Sequence, residues 1–448
     1  MPDPMSRGEW RSLILAVIAV AACLGALGGY APWISPDTPG YLAVAPLPEG
    51  WGDPRHPLFG WILRAVPGRD HAAFPALQTG LFLAASLALH HALRAYGASR
   101  RAAGSVTAAL LGSNLLLLWH RAVHPEFPAA VLALAALACV VRLAAGRPFL
   151  IHALGFGLSL GLGYILRPSL LPAVLLFPLL YALLARLRGA EGIGRRTAVL
   201  VLAAALPFLA NSALRWRAVG DFNIVSFGGY QMSGMAGLML TPQVVASLPE
   251  DLRPLGQAIL DVRTASEKAG EVIPTPVNSQ GERSFVSTAF GYYDLYARTY
   301  DDLLQRKIGH LQGNESWVAF NARLMRLSLA TIRAAPASYA AWLAGGTMRF
   351  TGRLLASNLA FVLGMAAFLA AYAAALWRRR LPAAVAARPD DVPALVCLSA
   401  ITVVAAGALT VVTTFPAARY IDTAGLFLPA LPIYGALTFL SALRRTGP

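Results

Sequence analysis

Apolar runs of about 20 residues recur along nearly the whole chain, and they limit its fold more than any other feature. A run of that length crosses about 30 Å of hydrocarbon as one α-helix. Only 13% of the 448 residues are charged, with a mean hydropathy of +0.57. Transmembrane β-strands would instead give roughly ten-residue alternating segments. The sequence predicts an all-α polytopic membrane protein of about ten spans, at residues 12–30, 74–95, 102–119, 127–145, 148–166, 169–186, 197–215, 352–377, 393–413 and 421–442.

The basic residues follow these spans in a regular pattern. With the N-terminus in the cytoplasm, every short cytoplasmic loop is basic, as the positive-inside rule requires. The net charge of +15 is then mostly topological, and nucleic acid is not expected as a partner. The loops contain Arg7, Arg11, Arg94, Arg100, Arg101, Arg142, Arg147, Arg186, Arg188, Arg195, Arg196, Arg378, Arg379, Arg380, Arg388, Arg444 and Arg445.

The first run, residues 12–30, has an apolar core too long for a typical signal peptide. This length favours a retained signal-anchor helix, although "CLGALGG" also offers small residues that a signal peptidase accepts. The three cysteines lie within apolar runs, which indicates packing rather than a disulfide framework. They are Cys23, Cys139 and Cys397.

Span order and composition divide the chain into three parts. Residues 1–215 form an N-terminal transmembrane module with a catalytic first outer loop, and residues 352–448 form the C-terminal transmembrane helices. Between them, residues 216–351 form a mixed extracytoplasmic segment with nearly balanced charge.

Two kinds of local structure are predicted in the extracytoplasmic segment. Alternation through Phe222, Ile224 and Ser226 predicts a short strand, and Gly228-Gly229 a tight turn. The later stretches predict amphipathic helices broken at prolines, which favours a cap on the membrane domain over a separate catalytic domain.

The predicted first outer loop carries a carboxylate and a basic pair. Asp37 precedes Thr38-Pro39, so Asp37 or Thr38 is a candidate helix N-cap, and a cap at a membrane surface also suits a catalytic carboxylate. Arg55-His56 suits an anion clamp, since both side chains donate charge-assisted hydrogen bonds to phosphate. The alternative is an interfacial anchor.

The next outer loop contains His120, His124 and Glu126. Their spacing allows metal ligation, but Pro125 interrupts the helix that would align them. Glu126, at the start of a span, fits a helix-terminus carboxylate or a second active-site acid.

Cations recur at the outer ends of later spans, where the topology rule predicts few. Arg167 lies between two apolar runs, and Arg419-Tyr420 precedes the last span. A phosphate or a carboxylate such as Glu126 is a suitable partner, and snorkelling to the interface is the alternative. No Walker loop occurs in the sequence.

The order of these features resembles the GT-C superfamily of integral-membrane glycosyltransferases, in particular bacterial relatives of protein O-mannosyltransferases and of the lipid A aminoarabinose transferase. The resemblance covers nearly the whole chain, although each motif is short. One departure is that Asp37 is followed by Thr38, where many relatives carry paired acids. The matching stretches are "SPDTPGYLAVA", "RHPLFGWIL", "HPEFPAAVLALA", "LRPS", "GDFNIVSFGGY", "LATIRAAPASYAAWL" and "ARY".

The resemblance implies a polyprenyl-phosphate-linked sugar donor and a lipid, glycan or protein acceptor, in the inner membrane of a bacterium with both termini cytoplasmic. It implies an inverting transfer with Asp37 as base and Glu126 as second carboxylate; a divalent metal stays open. The implied substrate contacts are Tyr41, Arg55, His56, His120, Arg167, Arg419 and Tyr420.

Two other classes of function remain open from the sequence. A transporter or flippase of lipid-linked sugars would place coupled charges near mid-membrane between related halves, whereas these polar groups gather at one face. A polymerase or ligase of surface polysaccharide would share the lipid-linked substrate.

Overall fold

The computed structural model describes residues 5–27, 29–35, 37–67, 71–271, 303–378, 391–413 and 418–444. The predicted cytoplasmic residues Arg379, Arg380, Arg388 and Arg445 lie outside them. Within the described residues there are two short strands, β1 Trp33–Ile34 and β2 Ala122–Val123. The helices are α1 Arg7–Leu27, α2 Thr38–Leu42, α3 Pro57–Ala65, α4 Phe74–Tyr96, α5 Arg100–Leu111, α6 Asn114–Trp119, α7 Glu126–Ala144, α8 Phe149–Leu166, α9 Ala173–Leu187, α10 Ile193–Val219, α11 Gly228–Met239, α12 Pro242–Ser247, α13 Arg253–Lys268, α14 Trp317–Ala334, α15 Pro336–Ala356, α16 Leu359–Trp377, α17 Asp391–Thr413, α18 Ala418–Ala424 and α19 Ala430–Arg444.

The prediction of an all-α polytopic membrane protein is confirmed. Within the described ranges, nine helical stretches are long and apolar enough to cross a membrane. They are α1, α5 with α6, α9 with the turn before it, and α4, α7, α8, α10, α16 and α17.

The tenth predicted span, residues 421–442, is not one continuous helix. α18 ends at Ala424, and α19 has only 15 residues, about 22 Å at 1.5 Å per residue. The break follows from Gly425, whose carbonyl accepts from Asn358 Nδ2 at 3.0 Å, and from Pro429, which disfavours helical backbone in the residue before it.

The eighth span begins at Leu359 rather than at residue 352. Asn358 caps α16 by accepting from the Phe361 backbone N–H at 3.1 Å, which separates α16 from α15. The third span likewise breaks at Ser113, whose hydroxyl accepts from the Leu116 N–H at 3.3 Å and begins α6.

The transmembrane core is built around α7. Its span is 67% buried, whereas the span of α1 is only 6% buried. α7 packs against α4, α8 and α9 through small and aliphatic side chains. Glu126 is therefore the first residue of the most enclosed of these spans.

The described part of residues 216–351 has its own hydrophobic core, formed by side chains from Met232 to Trp342. The predicted strand at Phe222 to Ser226 is absent, and these residues form bends. Gly228-Gly229 begins α11 instead of a turn. A Cβ on Gly229 would meet the backbone carbonyl oxygen of Asn321, so glycine permits the close packing of α11 on α14. The predicted proline breaks occur before α13 and between α14 and α15.

Candidate active site

The loop that carries Asp37 is fixed to the loop that precedes α7 by backbone pairing. β1 and β2 pair in parallel, with Trp33 opposite Ala122 and Ile34 opposite Val123. Just beyond β1, the Thr38 hydroxyl donates to the Val123 carbonyl at 2.7 Å. This pairing brings together side chains about 90 positions apart in the sequence.

The side chain of Gln78 in α4 holds the loop that precedes α7 in place. Its side-chain amide donates to the carbonyls of His120 and Ala122 at 2.6 and 3.0 Å. Gln78 is buried, so these bonds satisfy the amide donor and hold the approach to β2 against a membrane helix.

Asp37 occupies the N-cap position of α2, but its carboxylate makes no capping hydrogen bond. The carboxylate points to three other groups. Arg55 Nη2 lies 3.1 Å from Oδ1, and His124 Nε2 and Arg419 Nη1 lie 3.1 and 3.4 Å from Oδ2. The hydrogen bond with His124 and the charges of Arg419 and Arg55 hold the pKa of Asp37 well below its usual range, although burial opposes them. Asp37 is therefore ionised at neutral pH.

Glu126 belongs to the same group of side chains and is more deeply buried than Asp37. Its Oε1 is 2.8 Å from Arg167 Nη2 and 3.2 Å from Arg419 Nε, and its Oε2 contacts His124 Nδ1. Arg419 thus bridges the two carboxylates, and Arg167 has the carboxylate partner that a buried cation requires.

Two tyrosines complete the group. The guanidinium of Arg55 lies 5.0 Å from the Tyr41 ring centroid. Those of Arg167 and Arg419 lie 5.0 and 5.2 Å from the Tyr420 ring centroid. Arg167 Nη2 also donates to the Tyr420 hydroxyl at 2.5 Å. The rings limit the directions in which the guanidiniums can point.

These residues are called the Asp37 cluster. Its arginines and carboxylates leave one net positive charge when His124 is neutral. Glu126 and His124 are 8% and 5% exposed, whereas the Asp37 and Arg419 side chains are 35% and 33% exposed. A ligand therefore meets Asp37 and the arginines first, and the excess positive charge suits an anion. The members are Asp37, Tyr41, Arg55, His124, Glu126, Arg167, Arg419 and Tyr420.

His56 lies outside the Asp37 cluster. Its Nδ1 accepts from the Leu58 N–H at 3.1 Å and caps α3, and its Nε2 lies 3.1 Å from Asn211 Oδ1. Burial lowers the pKa of His56 to about 4, so the ring is neutral and both nitrogens are engaged. The structure gives it an internal role, and its predicted phosphate contact has no support from this geometry.

His120 also lies apart. Its Nδ1 is 3.0 Å from the Leu116 carbonyl, its Nε2 3.4 Å from the Gly29 carbonyl, and its ring meets Tyr30 edge-on. These contacts join α6 to the segment after α1. Its substrate contact remains a prediction from resemblance alone.

A buried arginine that was not singled out from the sequence holds the predicted first outer loop in place. Arg215 of α10, 1% exposed, donates from Nε to the Trp51 carbonyl at 3.0 Å and from Nη2 to Ser226 Oγ at 2.5 Å. It also pairs with Asp221. The Trp51 side chain is itself buried.

His124 is the member of the cluster that sequence reasoning considered only as a metal ligand. Within the described ranges, no group of three or more His, Cys, Asp or Glu side chains is arranged to hold a metal ion. Asp37 and Glu126 lie on opposite nitrogens of the His124 ring, so their oxygens cannot converge on one ion, and arginines already neutralise both carboxylates. The cluster does not fit a divalent metal.

α15 carries Arg349 and Arg353 one turn apart. They line a groove of about 500 Å³ together with Gly345, Met348, Gly352, Ala356 and Ser357. α15 packs against α18, the helix that carries Arg419. The groove therefore combines small, apolar and cationic side chains on a helix adjoining the cluster.

Fold and site together define a polytopic α-helical membrane protein with a charged, partly exposed cluster at one end of its helix bundle. Comparison of the chain with protein-family models, with curated proteins and with solved structures gives no match.

Proposed function

We propose that this protein is a GT-C-like glycosyltransferase that moves a sugar from a polyprenyl-phosphate donor to an acceptor hydroxyl at the extracytoplasmic face of the membrane. The observation that carries the proposal is the meeting of two carboxylates and three guanidiniums at one end of a transmembrane bundle. Such a transfer needs a carboxylate for the hydroxyl proton and cations for the departing phosphate.

In the proposed reaction, Asp37 takes the proton of the acceptor hydroxyl while the oxygen attacks the anomeric carbon. The bond from that carbon to the phosphate oxygen breaks from the opposite face, and its electron pair leaves with the lipid phosphate. The configuration at the anomeric carbon is therefore inverted. Arg55 and Arg419 stabilise the leaving phosphate, since both are partly exposed and both contact Asp37.

Glu126 has a different task, because it is nearly inaccessible to a sugar. Its carboxylate holds Arg167 and Arg419 in place. A phosphate bound to Arg419 would withdraw that charge from Asp37, and the pKa of Asp37 would rise toward a value better suited to a base. Donor binding thereby prepares Asp37 for proton transfer.

The groove along α15 fits the lipid part of the donor. Its Arg349 and Arg353 offer charge for a phosphate, and Gly345, Met348 and Ala356 offer a narrow, weakly polar surface. An isoprenoid chain in this groove would leave its phosphate close to α18.

The test uses the full chain reconstituted in nanodiscs with a panel of polyprenyl-phosphate sugars. Mass spectrometry then measures released polyprenyl phosphate and identifies the labelled acceptor. Release together with sugar transfer is the expected result. A parallel reconstitution in sealed vesicles tests transport: movement of intact donor across the vesicle membrane, without release of polyprenyl phosphate, would indicate a flippase instead. Incorporation of the sugar into a growing polysaccharide would indicate a polymerase or ligase.

A further inference from the structure

His124 lies between the two carboxylates of the cluster, and each ring nitrogen faces one of them. Nε2 is 3.1 Å from Asp37 Oδ2, and Nδ1 contacts Glu126 Oε2. A neutral imidazole has one N–H and one lone pair, so it can donate to only one carboxylate. One further proton would make it an imidazolium that donates to both.

We propose that His124 is the final acceptor of the proton that Asp37 removes from the acceptor hydroxyl. This inference rests on the proposed function. The resting hydrogen bond to Asp37 uses the tautomer with hydrogen on Nε2. The relay uses the other neutral tautomer, in which hydrogen on Nδ1 donates to Glu126 and the Nε2 lone pair faces Asp37. The new glycosidic C–O bond forms, the C–O bond to phosphate breaks with its electrons on the phosphate, and the hydroxyl proton passes through Asp37 to Nε2. Asp37 returns to its carboxylate form.

His124 is a positioning residue in this scheme, since it acts through Asp37. β2 ends at Val123, next to it, and the pairing of β2 with β1 fixes the ring relative to Asp37. The Tyr41 ring meets it edge-on at 6.2 Å between centroids. A relay needs this rigidity, because proton transfer requires heavy atoms within hydrogen-bond reach.

The charges around the ring keep it ready to accept a proton. Burial, together with Arg167 and Arg419, lowers the pKa of His124 to about 4, and the hydrogen bond with Asp37 opposes this. The ring is therefore neutral at rest near pH 7. A donor phosphate on the arginines would offset their charge and favour the imidazolium. The charged or titratable groups in or facing this unit are Asp37, Glu126, Arg55, Arg167, Arg419, Tyr41 and Tyr420.

The test is His124→Gln in nanodiscs, with His310→Gln as the control at an exposed histidine of the extracytoplasmic segment. Glutamine keeps a polar contact but cannot take up the proton. We expect the maximal transfer rate to fall about 10²- to 10⁴-fold, the range of general acid–base contributions. Binding of sugar-free polyprenyl phosphate should change less than about threefold, because the arginines remain. The acid limb of the pH–rate profile should disappear or move to lower pH.

A second variant keeps the proposal testable if His124→Gln does not fold. Glu126→Gln removes the negative charge beside Nδ1, so the ring should hold a proton less well and the acid limb should move to lower pH. An unmoved limb in either variant overturns the relay. Parallel loss of lipid-phosphate binding and thermal stability in His124→Gln also overturns it and indicates a structural role. If wild type transfers no sugar, the proposed function itself fails.

Discussion

The two ends of the helix bundle each hold carboxylate, histidine and arginine side chains in contact. At one end is the Asp37 cluster. At the other, Glu9 of α1 lies 3.4 Å from His90, 3.0 Å from Arg94 and 3.1 Å from Arg100; these four residues are called the Glu9 cluster. α4 reaches both ends, and Gln78 and Arg94 lie about 24 Å apart along it.

The two clusters differ in how exposed their side chains are to solvent and in how many charged groups they contain. The Glu9 carboxylate is 10% exposed and is surrounded by His90 and two arginines. It therefore fastens α1, which is otherwise little buried, to α4 and α5. The Asp37 cluster has a second carboxylate, a bridging arginine and side chains about one-third exposed. Carboxylate, histidine and arginine side chains thus hold helices together where they are buried, as in the Glu9 cluster. Where they are partly exposed to solvent, as in the Asp37 cluster, they suit binding and chemistry.

The largest effect should follow from Asp37→Asn. Asparagine has nearly the same shape but cannot accept the hydroxyl proton, so sugar transfer should fall at least about 10³-fold. Glu9→Gln makes the matched neutralisation in the other cluster and should leave the transfer rate within about twofold. Both are measured as initial rates at saturating donor. Wild-type turnover in Asp37→Asn would remove Asp37 from the mechanism.

Arg419→Gln should come next. Loss of a charge-assisted contact of about 1.5–3 kcal/mol corresponds to roughly 10- to 100-fold weaker donor binding. The matched control is Arg326→Gln, because Arg326 also pairs with a carboxylate, Asp251, but is 62% exposed and lies outside the Asp37 cluster. Titration with polyprenyl phosphate measures both. Equal weakening in the two variants would show that Arg419 acts only through overall charge.

Periodicity and charge alone predicted much of this architecture. Apolar runs located the spans, because each must satisfy its backbone hydrogen bonds within one helix. The apolar runs gave the wrong helix boundary where a single side chain ends a helix, as when the Asn358 cap separates α15 from α16. Likewise, the alternation at Phe222 to Ser226 did not give a strand, since no neighbouring strand pairs with it among the described residues.

The candidate site was predictable as a set of residues but not as a set of contacts. The positions of Asp37, Glu126, Arg167 and Arg419 beside predicted spans indicated one face. The contacts between these side chains depend on the pairing of β1 with β2, which have two residues each. Strands this short leave almost no alternating pattern in the sequence. His124 was considered only beside His120 for the same reason, because its contact with Asp37 depends on that strand pairing.

Glu9→Gln should lower stability by about 1–2 kcal/mol while leaving transfer intact. The change leaves the largely buried His90 and Arg94 without a charged partner, and unsatisfied buried donors cost about that much. The thermal unfolding midpoint in detergent measures it, with Arg326→Gln as a surface control. A loss of transfer at full stability would mean that the two ends are coupled, and the contrast between the clusters would fail.

The smallest effect concerns His56 and pH. Its pKa in the folded protein is about 4, whereas an unfolded histidine titrates near 6.5. As pH falls from 6.5 toward 4, the unfolded state binds the proton first, so stability decreases. The loss through His56 alone should reach about 1 kcal/mol at pH 5.5.

His56→Asn isolates this loss, because asparagine can still accept from the Leu58 N–H and cap α3 but does not titrate. Unfolding midpoints are compared between pH 7.5 and pH 5.5, where groups other than His56 contribute equally to both proteins. The variant should show the shallower decline. An identical decline would mean that His56 already titrates near its ordinary pKa in the folded state. The ring could then carry positive charge toward a phosphate, and His56 would have to be included in the Asp37 cluster.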